Sequence, residues 1–238
     1  MIGGSTHPEI TIFAGRFGSG KTEVAINFAL SLAGQVRTAP ETGQGTRLGV
    51  ILIDLDIVTP YFRSRETADA MQEQGVEVIG PSIVGQHIHT PAITPQILGA
   101  IQQRERPTVV DVGGDRQGAR ALGQFSAAIR ERGYTFHFVA NPYRPYSGTF
   151  QELEESISEI EESARLRVSD LVSNPNLMGE TTASTITEGH STVQHFAERL
   201  ELTVAFICLE RPWAEAMEPN HFAEPILALD RFFVQPWE

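Results

Sequence analysis

The run GRFGSGKT, from Gly15 to Thr22, has the residue types and the spacing that bind phosphate. It fits the pattern GxxxxGK[ST], in which glycines let backbone N–H groups approach phosphate oxygens. Lys21 is expected to reach the terminal phosphates of a nucleotide, and the Thr22 hydroxyl to bind Mg²⁺. We call Gly15–Thr22 the phosphate loop and predict that the nucleotide contacts Gly15, Phe17, Gly18, Ser19, Gly20, Lys21, Thr22 and Glu23.

Three aspartates that follow apolar runs supply the oxygen ligands that Mg²⁺ prefers. Asp111 ends the run TVVD and is the expected metal ligand, either directly or through water. Asp54 and Asp56 end the run LIDLD, and one of them is expected to support the metal while the other orients an attacking water. The alternative for all three is an acidic residue of the kind that turns after strands favour.

Strands and helices in alternation must position these motifs. Apolar runs typical of buried parallel strands alternate with helical patterns along the chain. The predicted strands are 9–15, 48–55, 77–79, 108–112, 134–140, 170–173 and 203–209, and the predicted helices are 21–33, 63–74, 95–103, 118–132, 150–164 and 191–199. We predict one domain over 1–238 with a three-layer α/β fold, a mostly parallel central sheet and helices on both faces. Ligands bind beyond the carboxyl ends of such strands.

Composition narrows the function classes. The 238 residues carry a net charge of −12, which argues against a broad nucleic-acid-binding face. Of the 18 basic residues, 17 are arginines, and the single lysine is Lys21. One cysteine, Cys208, excludes a cysteine-based metal or iron–sulfur site within one chain. Because no signal peptide and no run of about 18 apolar residues is present, a cytoplasmic location is expected.

The order GxxxxGKT, LIDLDxxxP and VVDVGGD resembles the MinD/ParA-like ATPases, of the CobQ/CobB/MinD/ParA class of nucleotide-binding domains. The resemblance implies an Mg²⁺-dependent P-loop ATPase that binds ATP and ADP, forms a nucleotide-dependent homodimer and acts on a protein partner or cargo. It also points to Asp56 as the residue that activates water. The C-terminal stretch Pro225–Glu238 has one cation, Arg231, so a MinD-type membrane tail is not expected.

Arg16 departs from that family's pattern. The family loop reads GKGGxGK[ST], and its signature lysine reaches across the dimer; Arg16 occupies that position here, and Phe17 replaces a glycine. An arginine keeps the charge and offers a planar fork for phosphate oxygens, so Arg16 is a catalytic candidate. The alternative is an arginine that faces solvent beside the nucleotide.

The base-binding end is assigned by analogy. Related P-loop proteins often place an asparagine after a late strand to bind the purine, which points to Asn174 and Pro175. A guanine reader is expected to carry a carboxylate, as in NKxD, whereas Asn176 is neutral. This comparison favours adenine, and Asn141–Pro145 and Cys208–Pro212 are further candidate contacts.

Two other functions are compatible with these motifs. One is a small-molecule kinase or ligase of the dethiobiotin-synthetase-like type, with an acceptor held by Tyr61–Arg65 or His87–Thr90. The other is a nucleotide-bound regulatory subunit with negligible turnover. The destination of the γ-phosphate separates these from an ATPase.

Overall fold

A computed structural model describes residues 10–38, 49–55, 65–80, 95–218 and 220–232. Within these residues one sheet contains β1 (Ile10–Ala14), β2 (Val50–Leu55), β3 (Val76–Ile79), β4 (Thr108–Val112), β5 (Tyr134–Ala140), β6 (Asp170–Ser173), β7 (Thr203–Glu210) and β8 (Ile226–Leu229). The strand order is β3-β2-β4-β1-β5-β6-β7-β8, and every neighbouring pair is parallel. The predicted α/β class is confirmed.

Helices cover both faces of this sheet. The described helices are α1 (Lys21–Thr38), α2 (Arg65–Glu73), α3 (Pro95–Gln102), α4 (Arg116–Gly123), α5 (Ser126–Arg132), α6 (Phe150–Ala164), α7 (Ala183–Arg199) and α8 (Arg211–Ala216). A short 3-10 turn covers Met178–Glu180. None of the helices in the described ranges combines the length and the apolar character needed to cross a membrane.

Alternate residues of the strands feed two separate cores. On one face, Ile12 of β1 packs in a cluster with Leu122 of α4 and Leu153 of α6. On the other face, Phe13 packs with Val24 of α1 and with Phe206 of β7. The two clusters make three layers, which fixes the carboxyl ends of the strands as one rigid edge.

One predicted helix is wrong in its extent. The run 118–132 forms two helices, because α4 ends at Gly123 and α5 begins at Ser126. A Cβ at Gly123 would lie 2.5 Å from the Ser163 carbonyl oxygen, so α4 ends where it packs directly on the backbone of α6. The chain turns there through hydrogen bonds from Gln124 N to Ala121 O (3.3 Å) and from Phe125 N to Leu122 O (2.9 Å).

Other predicted boundaries moved for local reasons. α1 continues past Ala33 to Thr38. α7 begins at Ala183 and not at residue 191, because Thr182 and Thr185 form a reciprocal capping box. α8 and β8 were not predicted, since the segments that form them are short and carry little periodicity.

Candidate functional site

The phosphate loop leaves the carboxyl end of β1 and runs directly into α1. The Ser19 N–H donates to the Arg16 carbonyl at 3.0 Å, and Val24 N donates to Gly20 O at 3.0 Å as α1 begins. Gly18 and Gly20 have φ values of +80° and +86°, which residues with a side chain rarely adopt. The loop therefore has the tight, glycine-dependent conformation that presents backbone N–H groups and a helix N-terminus to an anion.

The neighbouring strands bring two aspartates to the same edge. Asp54 of β2 lies directly opposite Asp111 of β4 in the register, and Asp111 in turn is opposite Phe13 of β1. Both carboxylates are about 1% exposed. Parallel strands lie about 4.8 Å apart, so two buried carboxylates stand side by side next to the loop. Such a pair fits a divalent cation, which offsets the cost of burying negative charge.

Gly114 fits the loop to the strand that carries Asp111. A Cβ on Gly114 would lie 2.8 Å from Phe17 N and 2.9 Å from Gly15 O. The nearby Asp115 caps α4: its Oδ1 accepts from Gln117 N at 3.0 Å and from Gly118 N at 2.9 Å. The VVDVGGD motif thus positions Asp111 and braces the loop.

Asn174 holds the loop from the other side. Its Nδ2 donates to the Ser19 carbonyl at 2.7 Å, and the residue is 4% exposed. A Cβ on Gly20 would overlap that same Nδ2 atom, so the glycine is needed for this contact. Pro175 packs against Gly189 of α7. The structure therefore gives Asn174 a loop-holding contact, and its predicted contact with the base stays a prediction.

A cavity of about 490 Å³ opens beside the loop, and we call it the strand-end cavity. Its lining comes from the loop, from the ends of β5 to β8 and from α1: Phe17, Gly18, Gly20, Lys21, Thr22, Glu23, Asn141, Arg144, Asn174, Asn176, Met178, Glu210, Leu229, Asp230 and Arg231. Three residues of the predicted nucleotide contacts, Gly15, Ser19 and Pro175, are buried and do not line this cavity. Lys21 is 6% exposed within it, whereas the Phe17 side chain is 78% exposed.

The far end of the cavity is a hydrogen-bonded asparagine network. Asn141 Nδ2 donates to Asn176 O at 2.9 Å, and Asn176 Nδ2 donates to Glu210 Oε1 at 3.1 Å. Asn176 Oδ1 accepts from Met178 N at 2.6 Å. These bonds place the Glu210 carboxylate in the wall. Glu210 belongs to the predicted candidate stretch Cys208–Pro212, whereas the comparison that favoured adenine rested on the neutral Asn176 alone. Glu210 ends β7, so the strand-end rule applied to the LERP run is the signal that finds it.

The wall beyond Glu210 comes from the segment that follows β8. Phe232 N donates to Glu23 Oε1 at 2.9 Å, so Glu23, a predicted nucleotide contact at the start of α1, holds the segment against that helix. Asp230 forms a two-bond fork with Arg211, with both distances at 2.6 Å. These hydrogen bonds from the Arg211 guanidinium lower the pKa of the Asp230 carboxyl.

Arg16 lies outside the strand-end cavity. Its Nη1 is 3.2 Å from Glu159 Oε2 on α6, and its guanidinium carbon is 5.1 Å from the Tyr146 ring centroid. Arg116 contacts the other oxygen of Glu159 at 3.1 Å. The expected catalytic role of Arg16 stays a prediction. The predicted water-orienting Asp56 lies outside the described residues, as do His87–Thr90 and most of Tyr61–Arg65.

No protein-family model and no curated protein matches this chain. Solved structures match it in fold. The signal recognition particle receptor FtsY from Elizabethkingia anophelis, in complex with GDP, aligns with a TM-score of 0.53 and 15% identity over 87% of this chain and 59% of that one. The fold is that of the P-loop NTPases.

Two further structures of the same fold agree. FtsY from Thermotoga maritima aligns with a TM-score of 0.52 and 14% identity over 86% of this chain and 63% of that one. Chloroplast FtsY from Physcomitrella patens aligns with a TM-score of 0.51 and 13% identity over 87% of this chain and 60% of that one. This chain therefore spans about three fifths of the length of these P-loop NTPases. The narrower MinD/ParA-like assignment stays a prediction.

Proposed function

We propose that this chain is an Mg²⁺-dependent ATP-binding protein and slow ATPase, whose nucleotide state controls its binding to a protein partner in the manner of MinD/ParA-like switches. The observation that carries the proposal is the juxtaposition of three features at one sheet edge. The glycine-dependent loop, the N-terminus of α1 and the buried pair Asp54 and Asp111 all meet there.

The roles follow from the chemistry of each group. Backbone N–H groups of the loop and the Lys21 ammonium bind phosphate oxygens, and they neutralise charge that develops during hydrolysis. The Thr22 hydroxyl, Asp54 and Asp111 are oxygen ligands suited to Mg²⁺, which polarises the phosphoryl group when bound. Asp56 is the proposed group that orients water. The protein's own contribution is position and electrostatics, as in other phosphoryl transfers.

Adenine is the proposed base, and guanine is the second candidate because of Glu210. The Asn174 and Asn176 amides suit either purine. Glu210 Oε2 makes no hydrogen bond within the described residues and can accept from the adenine amino group or from the guanine N1 and N2 hydrogens. The FtsY structure from Elizabethkingia anophelis contains GDP, which adds weight to testing GTP.

The first test is direct binding with Mg²⁺ present. Calorimetric titration with ATP and with GTP is expected to show ATP binding more tightly. Lys21→Ala removes the ammonium and should weaken binding at least ten- to a hundredfold, since a hydrogen bond to a charged group contributes about 1.5–3 kcal/mol. The matched control is Arg104→Ala, which removes an exposed cation near Glu131, before β4.

Outcomes of this titration are distinct. Equal nucleotide binding by Lys21→Ala and the unaltered protein would contradict the phosphate-loop assignment. Tighter binding of GTP would leave the phosphate-loop assignment in place and change the assigned base from adenine to guanine.

The fate of the γ-phosphate needs a separate assay with labelled ATP. The label should appear as inorganic phosphate, and its appearance on a metabolite would indicate a kinase.

The second test concerns turnover. Asp56→Ala should bind ATP as the unaltered protein does but release phosphate more slowly, by about 10²–10⁴-fold if a positioned base is lost. Single-turnover phosphate release measures this directly. If phosphate release is unchanged, water is oriented by another group.

A further inference from the structure

Two arginines lie close to the phosphate loop, but only one of them faces the strand-end cavity. Arg16, next to the loop glycines in sequence, has its guanidinium on Glu159 and Tyr146. Arg144 comes from the end of β5, the strand beside β1, and lines the cavity together with Lys21. A Cβ on Gly18 would lie 3.8 Å from Arg144 Cδ, so the Arg144 stem runs along the loop.

A rigid turn presents Arg144. Arg144 N donates to Asn141 O at 3.1 Å, and Ser147 N donates to Arg144 O at 3.2 Å. The Asn141 side chain accepts from Tyr143 N at 3.1 Å, which fixes the start of the turn. Prolines at 142 and 145 restrict the backbone on both sides. The backbone position from which the Arg144 side chain extends is thus set before any ligand arrives.

The Arg144 guanidinium lacks a protein partner in the part of the chain that the structure describes. Its Nε is buried with no hydrogen-bond acceptor. The carboxylates in the cavity wall have other contacts: Glu23 accepts from Phe232 N, Glu210 accepts from Asn176, and Asp230 is held by Arg211. A buried N–H group without an acceptor is costly, and an anionic ligand beside it offsets that cost with charge-assisted bonds.

The order of strands in the sheet indicates which anionic group the Arg144 guanidinium contacts. Asp54 and Asp111 stand on the β4 side of β1, where metal and γ-phosphate belong, and the asparagine network stands on the β6 and β7 side. Arg144, from β5, lies between β1 and the network. A nucleotide that spans the two sides presents its inner phosphates there.

We propose that Arg144 binds the α- and β-phosphates of the nucleotide and complements Lys21 as a further cation beside the phosphate loop. This inference rests on the proposed nucleotide-binding function. Because those phosphates are common to di- and triphosphates, Arg144 contributes equally to the binding of both and does not sense the γ-phosphate.

The test compares ADP and ATP affinities by calorimetry in Arg144→Gln, Arg144→Lys and the unaltered chain. Arg144→Gln should weaken both nucleotides by a similar factor, about ten- to a hundredfold. Arg144→Lys keeps the charge but loses the planar fork, so its nucleotide affinities should lie between those of Arg144→Gln and those of the unaltered chain. Arg104→Gln makes the same charge change at an exposed position before β4 and should bind both nucleotides normally.

Four results would overturn the inference. If the unaltered chain binds nucleotide and Arg144→Gln binds within twofold of it, Arg144 is not a ligand, and the proposed function stands. If only ATP binding is weakened, Arg144 contacts the γ-phosphate instead. If the unaltered chain binds neither nucleotide, the proposed function fails and this inference with it. Arg144→Lys keeps the test decisive should the glutamine variant not fold, since an affinity equal to that of the unaltered chain would also contradict a forked phosphate contact.

Discussion

At the scale of single residues, the tightest constraint on the site is the contact between Gly20 and Asn174. A side chain at Gly20 must displace the Asn174 amide and adopt a left-handed backbone. Gly20→Ala should therefore break the hydrogen bond from Asn174 Nδ2 to Ser19 O and lower the free energy of unfolding by about 1–3 kcal/mol. Urea denaturation measures this change.

A double-mutant cycle isolates the contact. Because Asn174→Ala makes room for the new methyl group, the double variant should lose less stability than the sum of the two single variants. Gly34→Ala is the matched control: Gly34 lies within α1 with open space around it, so alanine should stabilise by about 0.5–1 kcal/mol. Additive losses in the cycle would show that the two residues do not clash.

The sequence names the candidate site residues more readily than it shows which of them come together. Asn141–Pro145 and Cys208–Pro212, which contain Arg144 and Glu210, were only broad candidate stretches. Lys21 and Asp111 follow from local motifs, because a phosphate loop and a strand-end aspartate are each encoded within a few consecutive residues. Arg144 and Glu210 enter the same cavity from strands far apart in sequence. Their proximity depends on the strand order, which no local pattern specifies.

At the scale of elements, β5 carries a buried histidine that makes stability depend on pH. Burial lowers the pKa of His137 from 6.5 to about 4, against the opposing charge of Asp170, and Phe13 and Phe206 flank its ring at 5.2 and 5.5 Å. Between pH 6.5 and 4 the unfolded chain binds a proton at this site that the folded chain does not. Stability should therefore fall as pH falls through that range, by at most about 1.4 kcal/mol per pH unit from this group.

His137→Phe keeps an aromatic ring and removes the titrating group, so its stability should vary less between pH 6.5 and 4. Some dependence should remain, because burial also lowers the pKa of His190 despite its bond to Glu224. Guanidinium denaturation at several pH values gives both curves. Parallel curves for the two proteins would contradict a neutral buried His137.

The start of α4 offers a second test at this scale. Asp115→Ala removes the acceptor for Gln117 N and Gly118 N and should cost about 1 kcal/mol of stability. Asp115→Asn keeps a capping oxygen and should cost much less, so thermal unfolding of the two variants separates the cap from the charge. Equal losses would indicate that the negative charge, not the cap, is what matters.

At the scale of the whole molecule, residues distant in sequence close the cavity. Asn27 of α1 donates to Asp230 O at 2.9 Å and accepts from Asp230 N at 2.8 Å, and it is 5% exposed. This paired contact fixes the segment that follows β8 as a wall beside the phosphate loop. This wall of the strand-end cavity is therefore held by contacts between segments near the two ends of the described chain.

Asn27→Ala should loosen that wall. Cleavage by trypsin after Arg231 is expected to become faster, since the backbone at Asp230 loses both of its bonds to Asn27, while the bond from Phe232 N to Glu23 still joins this segment to α1. Mass spectrometry of a digestion time course follows this single site. Gln151→Ala removes an exposed side-chain bond within α6 and should leave the cleavage rate unchanged; an unchanged rate in Asn27→Ala as well would show that other contacts hold the segment.

The alternation of apolar runs and helical patterns was sufficient to predict a parallel three-layer fold. It did not predict the break at Gly123, because that break arises from packing against Ser163 O, nor β8, whose four residues carry too little pattern. Local periodicity records which face of an element is buried, whereas boundaries and edge strands are decided by the neighbours they meet.

Lys21 makes labelling of the molecule by amine reagents unusually selective. It is the sole lysine among 238 residues, and it is 6% exposed at the foot of the phosphate loop. Apart from the terminal α-amine, acylating or cross-linking reagents thus have one target, which a bound nucleotide would cover. Labelling at Lys21, which blocks tryptic cleavage there and adds mass to the peptide Phe17–Arg37, would report occupancy of the site without a substitution in the chain.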